Sequence, residues 1–396
     1  MSKHVDSMLG NLITSMPFYV CAFWSVVLMM DVARTRQIAK LRLLVYMLAA
    51  TVLYLGHYVF FNGLREILPL TDTLYCLTNL LVFPLYYLYL RELTVPDNTE
   101  YREWPLYVPA VTMSVAYGVL YALVSPYELN RFFTFYLYNN SRFDLLSGLA
   151  WWLAVAHHLA KTLFALQIPP ILWYGYRHIS QYNQRVDAFY ADTDDKSLRQ
   201  MKSVLVVFVV VAIISFVANA LGRHLFTNSL WLLAVPSAAF SALQFLLGYL
   251  GHRQNFSVAD LMADEAKGGP AVPVDEVASE DEYSPTLAAL RDRFFSMVST
   301  ERLYLQPNLK VTDLADRLQT NRTYLQHIIR KELGCTFTEY INRQRIDYAC
   351  TLMDRQPDRP ISEVCAESGF TSLPSFYRNF KLYRHCSPAD YSITAK

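Results

Sequence analysis

Residues 311–330, VTDLADRLQTNRTYLQHIIR, and residues 361–381, ISEVCAESGFTSLPSFYRNFK, are two copies of one pattern. Val311, Thr312, Asp313, Leu314 and Ala315 align with Ile361, Ser362, Glu363, Val364 and Cys365 at an offset of 50. Leu325, Ile329 and Arg330 align with Phe376, Phe380 and Lys381 at an offset of 51. The spacing predicts one residue added to the second turn, at Gly369. A repeat of this size marks a supersecondary unit used twice. Apolar residues three and four apart give each copy a short helix, a tight turn and a longer helix with an N-cap, Asn321 in the first and Ser372 in the second. That is a helix-turn-helix, whose second helix can enter a major groove. From Thr336 to Asp354 one connecting helix is expected, about 27 Å long, with Phe337, Tyr340, Ile341, Tyr348, Ala349 and Leu352 facing the core. Such a strut can set two recognition helices in successive major grooves about 34 Å apart. Leu287, Leu290, Phe294, Phe295 and Val298 supply a further apolar helical face ahead of the repeat.

Upstream of this small all-helical domain, read as residues 284–396, the composition changes twice. Residues 254–283 carry eight acids and one base, Lys267, followed by Gly268, Gly269, Pro270 and Pro273. Such a segment buries too little apolar surface to offset its ordering entropy, and reads as an acidic flexible linker spanning about 30 Å as a coil. Residues 1–253 are different again. The whole chain is 53% hydrophobic and only 17% charged, against roughly 25% charged in an ordinary soluble domain, and the excess lies in this first part. The net charge of +1 resolves into +4, −7 and +4 for the three regions. A single soluble globule and a disulfide-rich secreted domain are both excluded. The six cysteines form no C-x-x-C pair and read as small buried apolar residues.

Seven runs near Leu12–Met30, Leu43–Phe61, Thr71–Leu90, Pro105–Val124, Leu149–Ile171, Ser203–Ala220 and Leu230–Leu250 each approach the ~20 apolar residues that span a bilayer as a helix. The expected fold class is therefore all-α: a seven-helix membrane bundle followed by the small helix-turn-helix domain. Twelve Lys and Arg (Arg34, Arg36, Lys40, Arg42, Arg91, Arg102, Arg177, Arg185, Lys196, Arg199, Lys202, Arg253) fall on one side of these runs. Five (Lys3, Arg65, Arg131, Arg142, Arg223) fall on the other. Cytoplasmic loops carry the excess, which predicts an external amino terminus and a cytoplasmic carboxyl-terminal domain in a bacterial inner membrane. The first run has its positive cluster after the apolar stretch and is no cleavable signal.

Among polar residues inside the runs, Lys161 is the costliest. With His157 one turn earlier on the same face, it is read as lining a candidate cavity for an anionic or polar ligand, the alternative being snorkelling. His157 and His158 point to different faces and form no metal site. Neither a metal nor a cofactor is expected.

Leu314, Ala315, Leu325, Gly334, Phe337, Tyr340, Ile341, Arg345, Ile346, Ala349, Gly369, Phe370, Phe376, Arg378, Phe380, Lys381, Ser387, Pro388 and Tyr391 resemble the DNA-binding domain of AraC/XylS-type transcription regulators, over about residues 287–392. The resemblance implies a reader of asymmetric duplex DNA that touches bases near the start of each recognition helix. In the first helix it points to Thr323, Gln326 and His327 at bases and Arg322, Arg330 and Lys331 at phosphate. In the second it points to Leu373, Pro374, Ser375 and Arg378, with Lys381 as an anchor. Gln pairs bidentately with adenine, whereas Leu373 and Pro374 offer only apolar contact, so the first helix is expected to carry most base selectivity. Cys386 and Ser392 stand where the family carries glycine and, commonly, arginine.

Together these features predict a membrane-embedded one-component transcription regulator and no enzyme. Its partners would be promoter DNA, the lipid bilayer and a signal ligand, with pairing into a homodimer and contact with RNA polymerase as family traits. The rival is a transporter or channel with a cytoplasmic helix-turn-helix regulatory domain. No repeat between the apolar runs favours it.

Overall fold

A computed structural model describes residues 2–96, 102–138, 143–221, 230–267 and 285–394. It is all-α; among the described residues strand pairing is limited to one isolated bridge between Tyr190 and Lys310. The chain forms two compact units, one of Met1–Ser180 with Leu198–Asn255, the other of Gln181–Ser197 with Phe256–Lys396. The expected first domain thus gives up an internal piece, Gln181–Ser197, to the second.

The first unit contains α1 (Ser2–Thr35), α2 (Ile38–Phe61), α3 (Leu68–Thr94), α4 (Trp104–Leu123), the short α5 (Pro126–Arg131), α6 (Gly148–Phe189), α7 (Arg199–Leu221) and α8 (Leu230–Arg253). The end of α6, from Gln181, belongs to the second unit. Prolines lie inside these helices at positions 17, 84, 109, 169, 170 and 236, as membrane helices tolerate where neighbours satisfy the freed carbonyls. Large apolar side chains such as Phe23, Met30, Val115, Leu123, Leu166 and Trp173 remain exposed, an outward face suited to lipid. Helix α2 packs against both α1 and α3, α8 against α1, and α4 against α3. Gly248 on α8 admits Trp24 of α1; a Cβ there would fall 2.3 Å from the indole.

Six helices among the described residues are long and apolar enough to cross a membrane, instead of the seven expected: Met8–Thr35, Ile38–Phe61, Leu68–Thr94, Trp104–Leu123, Gly148–Phe189 and Leu233–Lys267. The expected sixth run, Ser203–Ala220, does form a helix, α7. Most side chains of its second half, Asn219 included, lie outside the described set, so this helix is not among the six. Arg142 and Arg223, counted for loop charge, also lie outside the described residues, as does the side chain of Lys3.

Inside this unit His157 is buried, and its Nε2 lies 2.8 Å from Oδ2 of Asp72. The same carboxylate oxygen accepts from the Tyr121 hydroxyl at 2.7 Å, and Tyr117 stacks on the imidazole at 4.4 Å. The histidine expected to line a cavity with Lys161 is therefore committed to an acid on another helix. Sequence spacing missed Asp72 because it sits near the start of its apolar run. His158 turns the other way, with Nδ1 2.6 Å from the Tyr136 hydroxyl. No cluster suited to a metal occurs among the described residues.

The second unit adds α9 (Val258–Lys267), α10 (Pro285–Glu301), α11 (Val311–Leu318), α12 (Arg322–Leu333), α13 (Phe337–Arg355), α14 (Ile361–Glu367), α15 (Leu373–Arg384) and α16 (Pro388–Thr394). Helix α9 occupies part of the stretch read as an open tether. Its Val258 and Leu261 are buried, and its carboxylates meet cations, so it gains what an isolated acidic segment lacks. Residues 268–284 lie outside the described set.

The repeat holds in three dimensions. In the first copy Gln319 takes a left-handed conformation and Thr320 N–H reaches Ala315 O; in the second, Gly369 and the bond from Phe370 to Cys365 repeat this at an offset of 50. The N-caps Asn321 and Ser372 stand 51 apart. The added residue is therefore Thr371, after Gly369 and not at it. Glycine is needed at 369 because φ is +82° and a Cβ would lie 2.6 Å from the Leu305 carbonyl oxygen. Ile346, Ala349, Met353, Val364, Phe370, Phe376 and Phe380 form a shared core around the second copy.

Candidate nucleic-acid interface

Both recognition helices open as their sequences require. The Asn321 side chain accepts from Thr323 N–H at 2.8 Å, and Ser372 Oγ from Ser375 N–H at 3.3 Å, each satisfying a donor that the first turn leaves unpaired. Both end in a left-handed residue, Gly334 after α12 and His385 after α15. The strut α13 starts with a reciprocal capping box between Thr336 and Glu339.

The residues singled out from sequence divide by position. On α12, Thr323 is buried, Gln326 and His327 are half-buried, and Arg330 and Lys331 are exposed on the last turn. On α15, Leu373, Pro374, Arg378 and Lys381 are exposed, while Ser375 is buried and packs its hydroxyl 3.4 Å from both Asn379 Nδ2 and Arg378 Nη2. Thr323 and Ser375 thus serve the helix starts. Gln326, His327, Arg330, Lys331, Arg378 and Lys381 remain as the outward polar set, joined by the exposed apolar pair Leu373 and Pro374. Arg322 is nearly covered, with its guanidinium 5.7 Å above the Phe189 ring, its Nη2 3.6 Å from Glu265, and Nη1 buried without a hydrogen-bond partner.

Gln326, Arg322 and Arg378 each meet the segment Gln181–Ser197, a feature that neither periodicity nor motif reveals. Gln326 Nε2 donates to the Ala188 carbonyl at 2.9 Å. Arg378 pairs with Asp194, and Ser372 Oγ donates to the same carboxylate at 3.4 Å. Ala191 N–H donates to Leu309 O at 2.9 Å beside the Tyr190–Lys310 bridge. Thr338 Oγ1 donates to the Asp187 carbonyl at 2.9 Å, and Asn342 Nδ2 to the Ala191 carbonyl at 3.3 Å.

Beneath this segment lies Arg345 of α13, fully buried. Its Nε donates to Tyr304 O at 2.6 Å, Nη2 to Gln306 O at 2.8 Å, and Nη1 to Asp192 Oδ1 at 3.0 Å. Burial depresses its basicity and Asp192 opposes that shift. The other Asp192 oxygen accepts from Asn308 N–H at 2.9 Å. A buried cation is tolerated only when so fully partnered. Helix α9 adds a second acidic contact: Asp264 accepts from Lys310 Nζ and from the Tyr190 hydroxyl, each at 2.7 Å. Burial and this carboxylate push the Tyr190 phenol upward, so it stays protonated as the donor. Cys350 and Cys365 are buried free thiols pushed upward by burial, as expected of core residues.

Residues 314–392 match the family described as a helix-turn-helix domain, in keeping with the resemblance to the AraC type for this quarter of the chain. The chain is similar to an uncharacterized response regulatory protein of Staphylococcus epidermidis, 25% identical over 156 residues that cover 39% of this chain and 61% of that protein. It is also similar to the transcriptional regulatory protein HptR of Staphylococcus aureus, 26% identical over 141 residues, 35% of this chain and 54% of HptR. The chain therefore spans little more than half the length of these relatives. No solved structure matches.

Proposed function

We propose that this chain is a membrane-embedded transcription regulator, in which the carboxyl-terminal domain binds promoter DNA from the cytoplasmic face under control of a signal met by the apolar unit. The observation that carries this reading is the pair of capped recognition helices, α12 and α15, presenting Gln326, His327, Arg330 and Lys331 from one and Arg378 and Lys381 from the other. Gln and His read base edges, and cations near the helix ends contact phosphate. Transcriptional regulators among its relatives support the same reading.

Membership of the two units also bears on topology. Gln181–Ser197 and Phe256–Lys396 share one unit, so they must lie on one side of any bilayer. The chain between Ser197 and Phe256 then crosses an even number of times. Helix α8 is one crossing, and α7 is the only other described helix in that interval. We infer that α7 crosses as well, which gives a seventh span and agrees with the loop charge that favours a cytoplasmic carboxyl-terminal domain.

The test is binding of the full chain, in lipid nanodiscs, to a random-sequence duplex pool followed by sequencing of the retained fraction. Retention should fall linearly in log affinity against log salt. Gln326→Ala with His327→Ala should flatten the selected motif, whereas Lys381→Ala should weaken retention across all sequences. Salt-independent retention, or none, would remove the reading.

A further inference from the structure

The segment Gln181–Ser197 meets the recognition surface at the atoms DNA would need. Gln326, the best candidate for a base contact, donates its amide to the Ala188 carbonyl. One arginine of each recognition helix faces a carboxylate: Arg322 lies 3.6 Å from Glu265 Oε2 of α9, an oxygen that also accepts from Arg185 of the segment at 2.9 Å, and Arg378 pairs with Asp194 of the segment. Lys310, at the start of the first motif, is held by Asp264 at 2.7 Å. Carboxylates on guanidinium and ammonium groups, and a carbonyl on a reading amide, are the chemistry that phosphates and a base edge would offer. The remaining contacts lie away from that surface. Asp192 plugs the buried Arg345, and Thr338 and Asn342 hold the backbone at Asp187 and Ala191.

We propose that Gln181–Ser197, together with Asp264 and Glu265, is an inhibitory strap that occupies the DNA-reading surface in place of duplex. The proposal rests on the DNA-binding reading above and supplies its regulation. Asp192 in Arg345 is the latch, and Asp194, Glu265 and the Ala188 carbonyl are the surrogate ligand. Strap and duplex are mutually exclusive, so duplex affinity is reduced by the fraction of molecules whose strap is open. The strap begins as the last turns of α6 and runs on into α7, so a signal that repositions those helices acts on the strap's ends. This gives the apolar unit a route to the recognition helices that does not pass through residues 268–284.

The experiment uses the full chain in lipid nanodiscs and a fluorescent random-sequence duplex pool at fixed salt. Asp194→Asn with Glu265→Gln keeps side-chain size and removes the two competing charges, leaving the Asp192–Arg345 latch in place. The variant should bind the duplex at least about tenfold more tightly than the wild type. Hydrogen exchange of residues 181–197 in the wild type should rise when duplex is added. Equal affinity of variant and wild type, or unchanged exchange in the strap at saturating duplex, overturns the strap while leaving DNA binding intact. Failure of both proteins to bind duplex at any salt overturns the DNA-binding reading, and the strap with it.

Discussion

Asp192→Ala tests the latch most directly. The carboxylate is buried and receives Nη1 of Arg345 at 3.0 Å and the amide of Asn308 at 2.9 Å. Removing one partner of a buried ion pair costs about 3–5 kcal/mol, because the surviving charge stays desolvated. Two features lower the figure here. Arg345 keeps its bonds to the carbonyls of Tyr304 and Gln306, and its Nη1 has Asn342 Oδ1 at 3.5 Å. The loss is also capped by undocking of the segment, since an Arg345 reached by water recovers its hydration. We expect the free energy of opening Gln181–Ser197 to fall by about 3 kcal/mol, which raises amide exchange there roughly a hundredfold. Hydrogen exchange with mass spectrometry on the full chain in detergent reads this at Ala191, whose N–H is bonded to Leu309 O at 2.9 Å. The double variant Asp192→Leu with Arg345→Met should recover much of the loss, because an apolar pair carries no desolvation penalty. Exchange of residues 181–197 and of α13 within about twofold of wild type in Asp192→Ala would refute the assignment of Arg345 as an ion-paired anchor.

Gly369→Ala should destabilise the second motif by about 2 kcal/mol or more, since it combines a left-handed φ of +82° with a Cβ 2.6 Å from the Leu305 carbonyl oxygen; an unchanged exchange pattern across α14 and α15 would contradict this. His385→Gly should stabilise the end of α15 by roughly 0.5 kcal/mol, because His385 holds φ +59° where Gly334 ends α12 at +62°; a lowered Tm would count against it. Asp72→Leu strips the shared acceptor from Tyr121 and His157, at about 1–3 kcal/mol for a buried group left unsatisfied. A lower Tm of the full chain in detergent is expected, and an unchanged one would show that the cluster contributes nothing.

Local patterns carried most of the architecture. Long apolar runs, the helix-turn-helix pattern and the caps Asn321 and Ser372 all depend on residues within about one helical turn of each other, and the structure has them. Partners distant in the chain leave no such pattern. Asp264 and Glu265 read as part of an open acidic tether because Lys267 is the one base among its eight acids; Lys310 meets Asp264, and Arg185 and Arg322 meet Glu265, from other parts of the chain. Asp72, near the start of its apolar run, meets a histidine 85 residues away, and no local spacing links the two. The loop between the fifth and sixth apolar runs read as a carrier of positive charge, and nothing in its spacing announces that Asp192 and Asp194 reach Arg345 and Arg378, 153 and 184 residues later.

The amino-acid sequence by itself determined that the fold class is all-α, that the first part is suited to lipid, and that the last quarter holds two helix-turn-helix units, because periodicity and capping act over a few residues. Only the tertiary structure decided which carboxylate each cation meets, that Gln181–Ser197 folds with the carboxyl-terminal domain, and that this segment bonds to Gln326 and Arg378. Pairing of charges across more than a hundred residues is set by packing and desolvation, which leave no period in the chain.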